Sequence, residues 1–304
     1  MKQTKNNNHK LTGNEREGLL IAHFGAMAEV EDASGEIYRC HLRKNADPVI
    51  TGDYVYWQLE NDNTGIVLGC KPRKSLVSRP ENKKKTKLIA ANVDAIVIVC
   101  APPPVLSEYL IDRYLIAAEN LKITPVILLN KMDLLNDGNR EEVLKRLSIY
   151  EKIGYRVIFS SIYIEHGLIQ IDEFMRNKTC VLVGTSGVGK SSIIAKFAPQ
   201  QAIMIGETSA SGLGKHTTTT TRLYHLADGG NLIDSPGIRE FSLWNMDKEE
   251  LIKGFHEFTP FLNRCKYRNC QHQKEAGCAL LEAIAENKID PKRWESYQEM
   301  IKDL

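Results

Sequence analysis

The sequence has no run of apolar residues that approaches the length of about 20 needed for a membrane-spanning helix. Residues 1–10 are polar and rich in Asn and Lys, so they lack the apolar centre of a secretory signal. Internal repeats and long low-complexity tracts are absent as well. We therefore expect a soluble, cytoplasmic protein that does not bind membranes.

A disulfide framework is disfavoured, because the seven cysteines are odd in number and come without a secretory signal. Cys100 and Cys180 lie in apolar, strand-like segments, which predicts reduced core residues. A second group falls within one short stretch of chain: Cys265, Cys270, His272 and Cys278. This grouping favours a metal site.

The formal net charge is only +2, yet basic residues are concentrated in two places. One is the lysine-rich stretch 83–87, and the other surrounds the clustered cysteines at Arg264, Lys266 and Arg268. Such clusters suit binding to phosphate backbones. They are also typical of solvated loops, and charge alone leaves both interpretations open.

At 304 residues, 42% of them hydrophobic, the chain is long enough for two or three folding units. Short alternating stretches in residues 18–80 predict a small β-barrel, of the oligonucleotide-binding (OB) type or, as the alternative, SH3-like. Residues 81–244 alternate apolar strands with helices, which predicts a doubly wound α/β domain. Residues 245–304 predict a mainly helical domain around the cysteines, and residues 1–17 a flexible arm.

Residues 184–191 match the P-loop pattern G-x-x-x-x-G-K-[ST] between an apolar strand and a helix. The glycines let backbone N–H groups face phosphate oxygens, Lys190 reaches the β- and γ-phosphates, and Ser191 ligates Mg²⁺. The flanking strand and helix argue against an incidental glycine-rich turn. The predicted phosphate-binding residues are Gly184, Thr185, Ser186, Gly187, Val188, Gly189, Lys190, Ser191 and Ser192.

The nucleobase is indicated by residues 130–133, an N-K-x-D sequence directly after an apolar strand. The Asp133 carboxylate can accept from N1–H and N2–H₂ of guanine, whereas adenine offers no such donor pair and would leave a buried charge unpaired. The loop after the next strand occupies the place where a backbone N–H usually meets guanine O6. The predicted base-binding residues are Asn130, Lys131, Met132, Asp133, Ser161 and Ile162.

A third nucleotide-binding segment is the D-x-x-G sequence of residues 234–237. Asp234 should hold the Mg²⁺ shell through water, and the Gly237 N–H should contact the γ-phosphate. Upstream, a run of five threonines offers a hydroxyl, from Thr217 or Thr218, that would complete the Mg²⁺ coordination as part of switch I. The same run also suits the start of a β-strand, and different residues of it can do both.

Hydrolysis requires a group that orients the attacking water, and Ile238 stands where many GTPases carry a Gln for this purpose. His216, next to the threonine run, is our candidate, with Lys190 and Asp234 acting on the phosphate and its metal ion. The alternative is that His216 is a loop residue or an RNA contact, and the sequence leaves both open.

The order of these motifs is reversed. An ordinary G domain has its P-loop first and N-K-x-D late, but here residues 130–133 precede residues 184–191, and residues 234–237 follow. A circular permutation accounts for this order, because the termini of a domain often lie close enough to be joined while new ones open elsewhere. The sequence therefore predicts a circularly permuted P-loop G domain.

The spacing C-x4-C-x-H-x5-C, from Cys265 to Cys278, supplies four ligands for a closed tetrahedral Zn²⁺ site. No ligand position remains for water, so we expect a structural site. The alternative, reduced surface cysteines beside a chance His272, is disfavoured because the other cysteines of the chain are scattered.

With these motifs in place, the chain resembles the ribosome small-subunit-dependent GTPase A (RsgA) family from about Gly18 to its end. The resemblance is most specific in N-K-M-D ahead of the P-loop, in residues 214–219 and in the Cys₃His spacing. It implies an OB barrel, a permuted G domain, a structural Zn²⁺, and Mg²⁺ bound with GTP or GDP. It also implies a GTP hydrolase that is stimulated by the ribosome and acts late in 30S subunit maturation. The family's hydrophobic residue after D-x-x-G and its switch histidine fit Ile238 and His216.

The resemblance implies the 30S subunit with its 16S rRNA as partner, and we also expect no binding to DNA and a monomeric protein. Two other function classes stay open. One is an rRNA-binding scaffold whose G domain serves only as a nucleotide-sensing switch, which the intact Lys190 and Asp234 argue against. The other is a P-loop kinase or ATPase with a metal module, which Asp133 argues against.

Overall fold

The computed structural model describes residues 14–43, 47–82, 85–102, 106–199, 221–234 and 246–304. Its strands are β1 (Arg16–Phe24), β2 (Met27–Glu31), β3 (Ile37–Leu42), β4 (Tyr54–Asn61), β5 (Thr64–Cys70), β6 (Leu76–Asn82), β7 (Lys85–Ala91), β8 (Ala95–Cys100), β9 (Thr124–Leu129), β10 (Val157–Phe159), β11 (Thr179–Val183), β12 (Arg222–His225) and β13 (Asn231–Asp234). Its helices are α1 (Glu108–Leu121), α2 (Arg140–Lys152), α3 (Ile169–Met175), α4 (Lys190–Phe197), α5 (Lys248–Gly254), α6 (Ala279–Ala285) and α7 (Pro291–Lys302).

Strands β1 to β5 close into a barrel. Strand β1 pairs with β2 and β4, β2 pairs with β3, β3 pairs with β5, and β5 pairs with β4 to complete the circle. The β3–β5 pair is parallel and the others are antiparallel. Alternate residues fill the interior around Trp57, which is fully buried. This closed five-stranded barrel confirms the OB prediction over the SH3-like alternative.

A hairpin of β6 and β7 follows the barrel. The sequence pattern does not predict this hairpin, because the lysine-rich stretch 83–87, which extends into β7, is typical of a loop. The hairpin crosses the predicted domain limit at residue 80, and β1 begins at Arg16, before the predicted start at Gly18.

The α/β domain is built on strands in the order β10-β9-β8-β11-β13-β12. All neighbours are parallel except β12, which runs antiparallel to β13. Every residue of β8 is buried, because α1 and α2 cover one face of the sheet and α3 and α4 cover the other. The predicted doubly wound sheet is confirmed.

The C-terminal helices pack against α1. Ile116 of α1 lies in the same apolar cluster as Phe255, Phe258 and Trp294. The approach is close, since a Cβ added to Gly254 would lie 2.3 Å from Ile116 Cγ2. Helix α1 therefore contributes one face to the sheet and another to the helical domain, which confirms the mainly helical C-terminal prediction.

The barrel is joined to the α/β sheet edge to edge. Ala22 of β1 is the antiparallel partner of Arg222 of β12, so the two sheets form one continuous sheet. Among the described residues, no helix has the length and apolarity that a membrane crossing requires.

Candidate functional site: a nucleotide pocket and a metal centre

The P-loop connects β11 to α4, and its glycines adopt conformations that other residues rarely reach. Gly184, Gly187 and Gly189 have φ values of 138°, 83° and 99°. A Cβ on Gly184 would lie only 2.2 Å from the carbonyl oxygen of Val99. Glycine is therefore required at the first of these positions both by φ and by space.

The Lys190 side chain folds back into the loop. Its Nζ donates to the carbonyl oxygens of Gly184 at 2.7 Å and Thr185 at 2.6 Å, and the residue is 9% exposed. The ammonium group thus lies within the curl of backbone that a P-loop wraps around phosphate.

The N-K-x-D segment lies against the P-loop. The Asn130 side-chain amide donates to the carbonyl oxygen of Val188 at 2.9 Å, and Asn130 is 2% exposed. A Cβ added to Gly189 would lie 2.3 Å from Asn130 Nδ2 and 3.9 Å from Lys131 Cε. Two motifs that stand in reversed order along the chain therefore form one pocket.

The loop after β10 completes the side of the pocket expected to hold the base. The Ser161 hydroxyl donates to the Asp133 carboxylate, and it accepts from the backbone N–H of Tyr163 at 3.0 Å. Ser160, the first residue of this loop, donates to Asn130 Oδ1 at 3.1 Å, a side-chain contact that the sequence did not predict. Its position directly after an apolar strand was the only sequence signal for it.

Asp234 ends β13, which runs parallel to the P-loop strand β11. Because the carboxyl ends of parallel strands share one edge of a sheet, Asp234 lies at the same edge as the P-loop. The predicted site residues His216, Thr217, Thr218 and Gly237 lie outside the described residues, as does Ile238.

The Cys₃His group is brought together by the turns before α6. The ligand atoms of Cys265, Cys270, His272 and Cys278 all lie within 4.8 Å of one another. Cys265 Sγ is 3.9 Å from Cys278 Sγ and 3.4 Å from His272 Nδ1. Zn–S bonds of about 2.3 Å at tetrahedral angles place two sulfurs about 3.8 Å apart, so the spacing fits a four-coordinate metal ion.

Glu275 holds the loop between the last two ligands, and the sequence analysis missed it. Its carboxylate accepts from the backbone N–H groups of Gln271, Gln273 and Lys274 at 2.8 to 3.0 Å. These hydrogen bonds, with that of Gln271 the largest, lower the pKa of Glu275 to about 2. The same hydrogen bonds tie together the loop that carries His272.

The shared pocket, with its motifs in reversed order on a doubly wound sheet, defines a circularly permuted P-loop G domain. Residues 70–244 match the sequence model of the family described as RsgA GTPase. The chain belongs to the RsgA GTPase family, as the sequence analysis predicted.

Individual proteins that are similar to this chain support the same family. The chain is 44% identical over 300 residues to the small ribosomal subunit biogenesis GTPase RsgA of Haemophilus influenzae (strain 86-028NP), covering 97% of this chain and 87% of the relative. The crystal structure of YjeQ from Thermotoga maritima is similar with a TM-score of 0.76 at 30% identity, over 95% of this chain and 98% of that one. YloQ, described as a circularly permuted GTPase, gives a TM-score of 0.74 at 30% identity, over 97% and 96%.

Proposed function

We propose that this chain hydrolyses GTP to GDP and phosphate and acts in the biogenesis of the small ribosomal subunit. The observation that carries the proposal is the hydrogen bond from Asn130 to Val188, because it joins the guanine-selective segment to the phosphate-binding loop. Relatives that are named small ribosomal subunit biogenesis GTPase support this biological setting.

In this proposal each motif has one task. Asp133 accepts from the two donors of guanine, and Ser161 orients its carboxylate through the hydrogen bond that joins them. Lys190 leaves its two backbone carbonyl partners to bind the β- and γ-phosphates. Ser191 and Asp234 would hold Mg²⁺, which supplies positive charge to the transferring phosphate.

We assign the water-orienting role to His216 and the remaining Mg²⁺ and γ-phosphate contacts to Thr217 or Thr218 and Gly237. The support for these roles is the sequence pattern alone. The His216→Ala variant tests the water-orienting role. We expect a lower hydrolysis rate at saturating GTP with unchanged GDP affinity. An unchanged hydrolysis rate would remove His216 from the mechanism.

We infer that the metal of the Cys₃His group is Zn²⁺, because thiolate and imidazole ligands in a closed tetrahedral set suit that ion. It would have a structural role, since the four ligands leave no position for water. The partner would be the 30S subunit, contacted through 16S rRNA by a monomeric, cytoplasmic protein. We propose a division into an arm, a barrel, a G domain and a helical domain near the predicted limits 1–17, 18–80, 81–244 and 245–304, with the first limit moved to before Arg16 and the second moved off the β6–β7 hairpin.

The proposed function is tested by measuring GTP hydrolysis with and without purified 30S subunits, with 50S subunits as the control. We expect the rate of GTP hydrolysis to rise when 30S subunits are added and to stay unchanged when 50S subunits are added. An rRNA-binding scaffold would sediment with 30S in GDP and GTP alike and show no rise in rate. Efficient hydrolysis of ATP would contradict the guanine assignment.

A further inference from the structure

The loop that carries His272 has a backbone conformation that needs support. His272 has a φ of 58°, in the left-handed region that residues other than glycine seldom adopt. Its neighbours on both sides, Gln271 and Gln273, donate their backbone N–H groups to the Glu275 carboxylate at 2.9 and 2.8 Å. A single acidic side chain therefore closes the loop around the imidazole ligand.

Glu275 also contacts the last ligand, through its main chain. The backbone N–H of Cys278 donates to the carbonyl oxygen of Glu275 at 3.2 Å. Cys278 is buried and His272 is half-buried, and Cys278 Sγ lies 3.4 Å from His272 Nδ1. Glu275 thus connects two of the four ligands, one by its side chain and the other by its backbone.

The first ligand is tied to the last one by the main chain alone. The backbone N–H of Lys266, next to Cys265, donates to the carbonyl oxygen of Gly277, next to Cys278, at 2.9 Å. Gly277 has a φ of 75°, and a Cβ there would lie 2.9 Å from Lys266 Cβ. The approach of Cys265 to Cys278 therefore requires no side-chain support, whereas the loop with His272 is held by the side chain of Glu275.

We propose that Glu275 is a positioning residue for the metal, which holds His272 in place and slows the release of Zn²⁺. This role rests on the proposed assignment of the metal. Both carboxylate oxygens accept from backbone N–H groups, so Glu275 acts through the loop and is not itself a ligand. Ligands that are already in place lose less conformational entropy when an ion binds. Hydrogen bonds outside the ligand set typically change metal affinity by about 10- to 100-fold.

The test measures how fast the zinc-loaded full chain transfers its metal to an excess of a chromogenic pyridylazo chelator. In Glu275→Gln an NH₂ group replaces one carboxylate oxygen and cannot accept from the loop, while the shape is kept. We expect release about tenfold faster than in the wild type, because the remaining oxygen still accepts from part of the loop. Glu286→Gln is the matched control: Glu286 is exposed in the same domain, pairs with Lys288 and should leave the rate unchanged.

Co²⁺ titration of the metal-free chain supplies a spectroscopic readout. We expect Glu275→Gln to need about tenfold more free Co²⁺ for half-saturation. At saturation its thiolate charge-transfer and d–d bands should match those of the wild type, because all four ligands remain.

Two results would overturn the role of Glu275: zinc release at the wild-type rate, or shifted Co²⁺ bands at saturation, which mark a lost ligand instead of a loosened loop. If circular dichroism shows that Glu275→Gln does not fold, Glu275→Asp, whose carboxylate is one methylene shorter, must release zinc faster than the wild type. Failure of the metal assignment shows differently, because the wild type itself would then hold no zinc.

Discussion

The guanidinium of Arg293, on α7 of the helical domain, lies 2.5 Å from Oδ1 of Asp112 on α1 of the G domain, and both side chains are 1% exposed. Arg293 also pairs with Glu257 at 2.6 Å, and the Tyr150 hydroxyl donates to the same Asp112 oxygen at 2.8 Å. A buried charged network therefore joins the C-terminal helical domain to the two helices on one face of the α/β sheet.

Replacing Arg293 by Met should destabilise this junction strongly. The substitution leaves Asp112 and Glu257 buried without their cation, which typically costs about 3–5 kcal/mol. Urea unfolding would show the loss as a lower midpoint. Lys292→Met is the matched control, because the neighbouring Lys292 pairs with Glu295 in solvent and should leave the midpoint unchanged. Equal midpoints for the two variants would contradict the assignment.

Replacing Asp133 by Asn should change the preferred base. The amide cannot accept from both guanine donors, so we expect roughly 100-fold weaker GTP binding. Xanthosine triphosphate should bind better than it does to the wild type, because the new amide supplies a donor where xanthine has a carbonyl. Competition with a fluorescent nucleotide measures both. Asp137→Asn is the control: Asp137 is exposed and lies a few residues away, so this variant should bind nucleotides as the wild type does. If Asp133→Asn retained the preference for GTP, Asp133 would not be the residue that recognises the base.

Replacing Gly189 by Ala should abolish tight nucleotide binding without unfolding the chain. The new methyl group would lie 2.3 Å from Asn130 Nδ2 at a φ of 99°, so it would separate the two motifs that form the pocket. We expect at least a tenfold loss of GDP and GTP affinity by titration calorimetry, the equivalent of about 1.4 kcal/mol. Gly69→Ala is the control, since its Cβ would meet no atom within 4 Å. Wild-type affinity in Gly189→Ala would exclude a shared pocket.

Replacing Cys278 by Ser should remove the metal and loosen the C-terminal domain. Cys278 is 1% exposed and precedes α6 directly, so its loss leaves a three-ligand set at the start of that helix. We expect elemental analysis to show about one Zn²⁺ per wild-type chain and none in the variant, with lower helix content by circular dichroism. Cys70→Ser, in the barrel, should retain the metal. Stoichiometric zinc in Cys278→Ser would exclude it as a ligand.

Local patterns predicted much of this fold. The alternation of apolar strands with helices predicted the doubly wound sheet, which the structure shows with α1 and α2 on one face and α3 and α4 on the other. The choice between OB and SH3-like barrels depended instead on which strands pair, such as β3 with β5 and β1 with β4. Those pairings join residues far apart in sequence, and strand counting carries no information about them. The β6–β7 hairpin was missed for a different reason, because its charged connection lacks the turn residues that usually indicate a hairpin.

The sequence by itself determined the chemical groups of this protein: a P-loop, an N-K-x-D segment, a Cys₃His cluster and the reversed order that indicates a permuted G domain. These follow from residue type and spacing, which are local properties. Only the tertiary structure decided which groups meet, as in Asn130 with Val188 and Arg293 with Asp112. Contacts of that kind depend on how strands and helices pack across the whole chain, and packing is a property of the folded molecule.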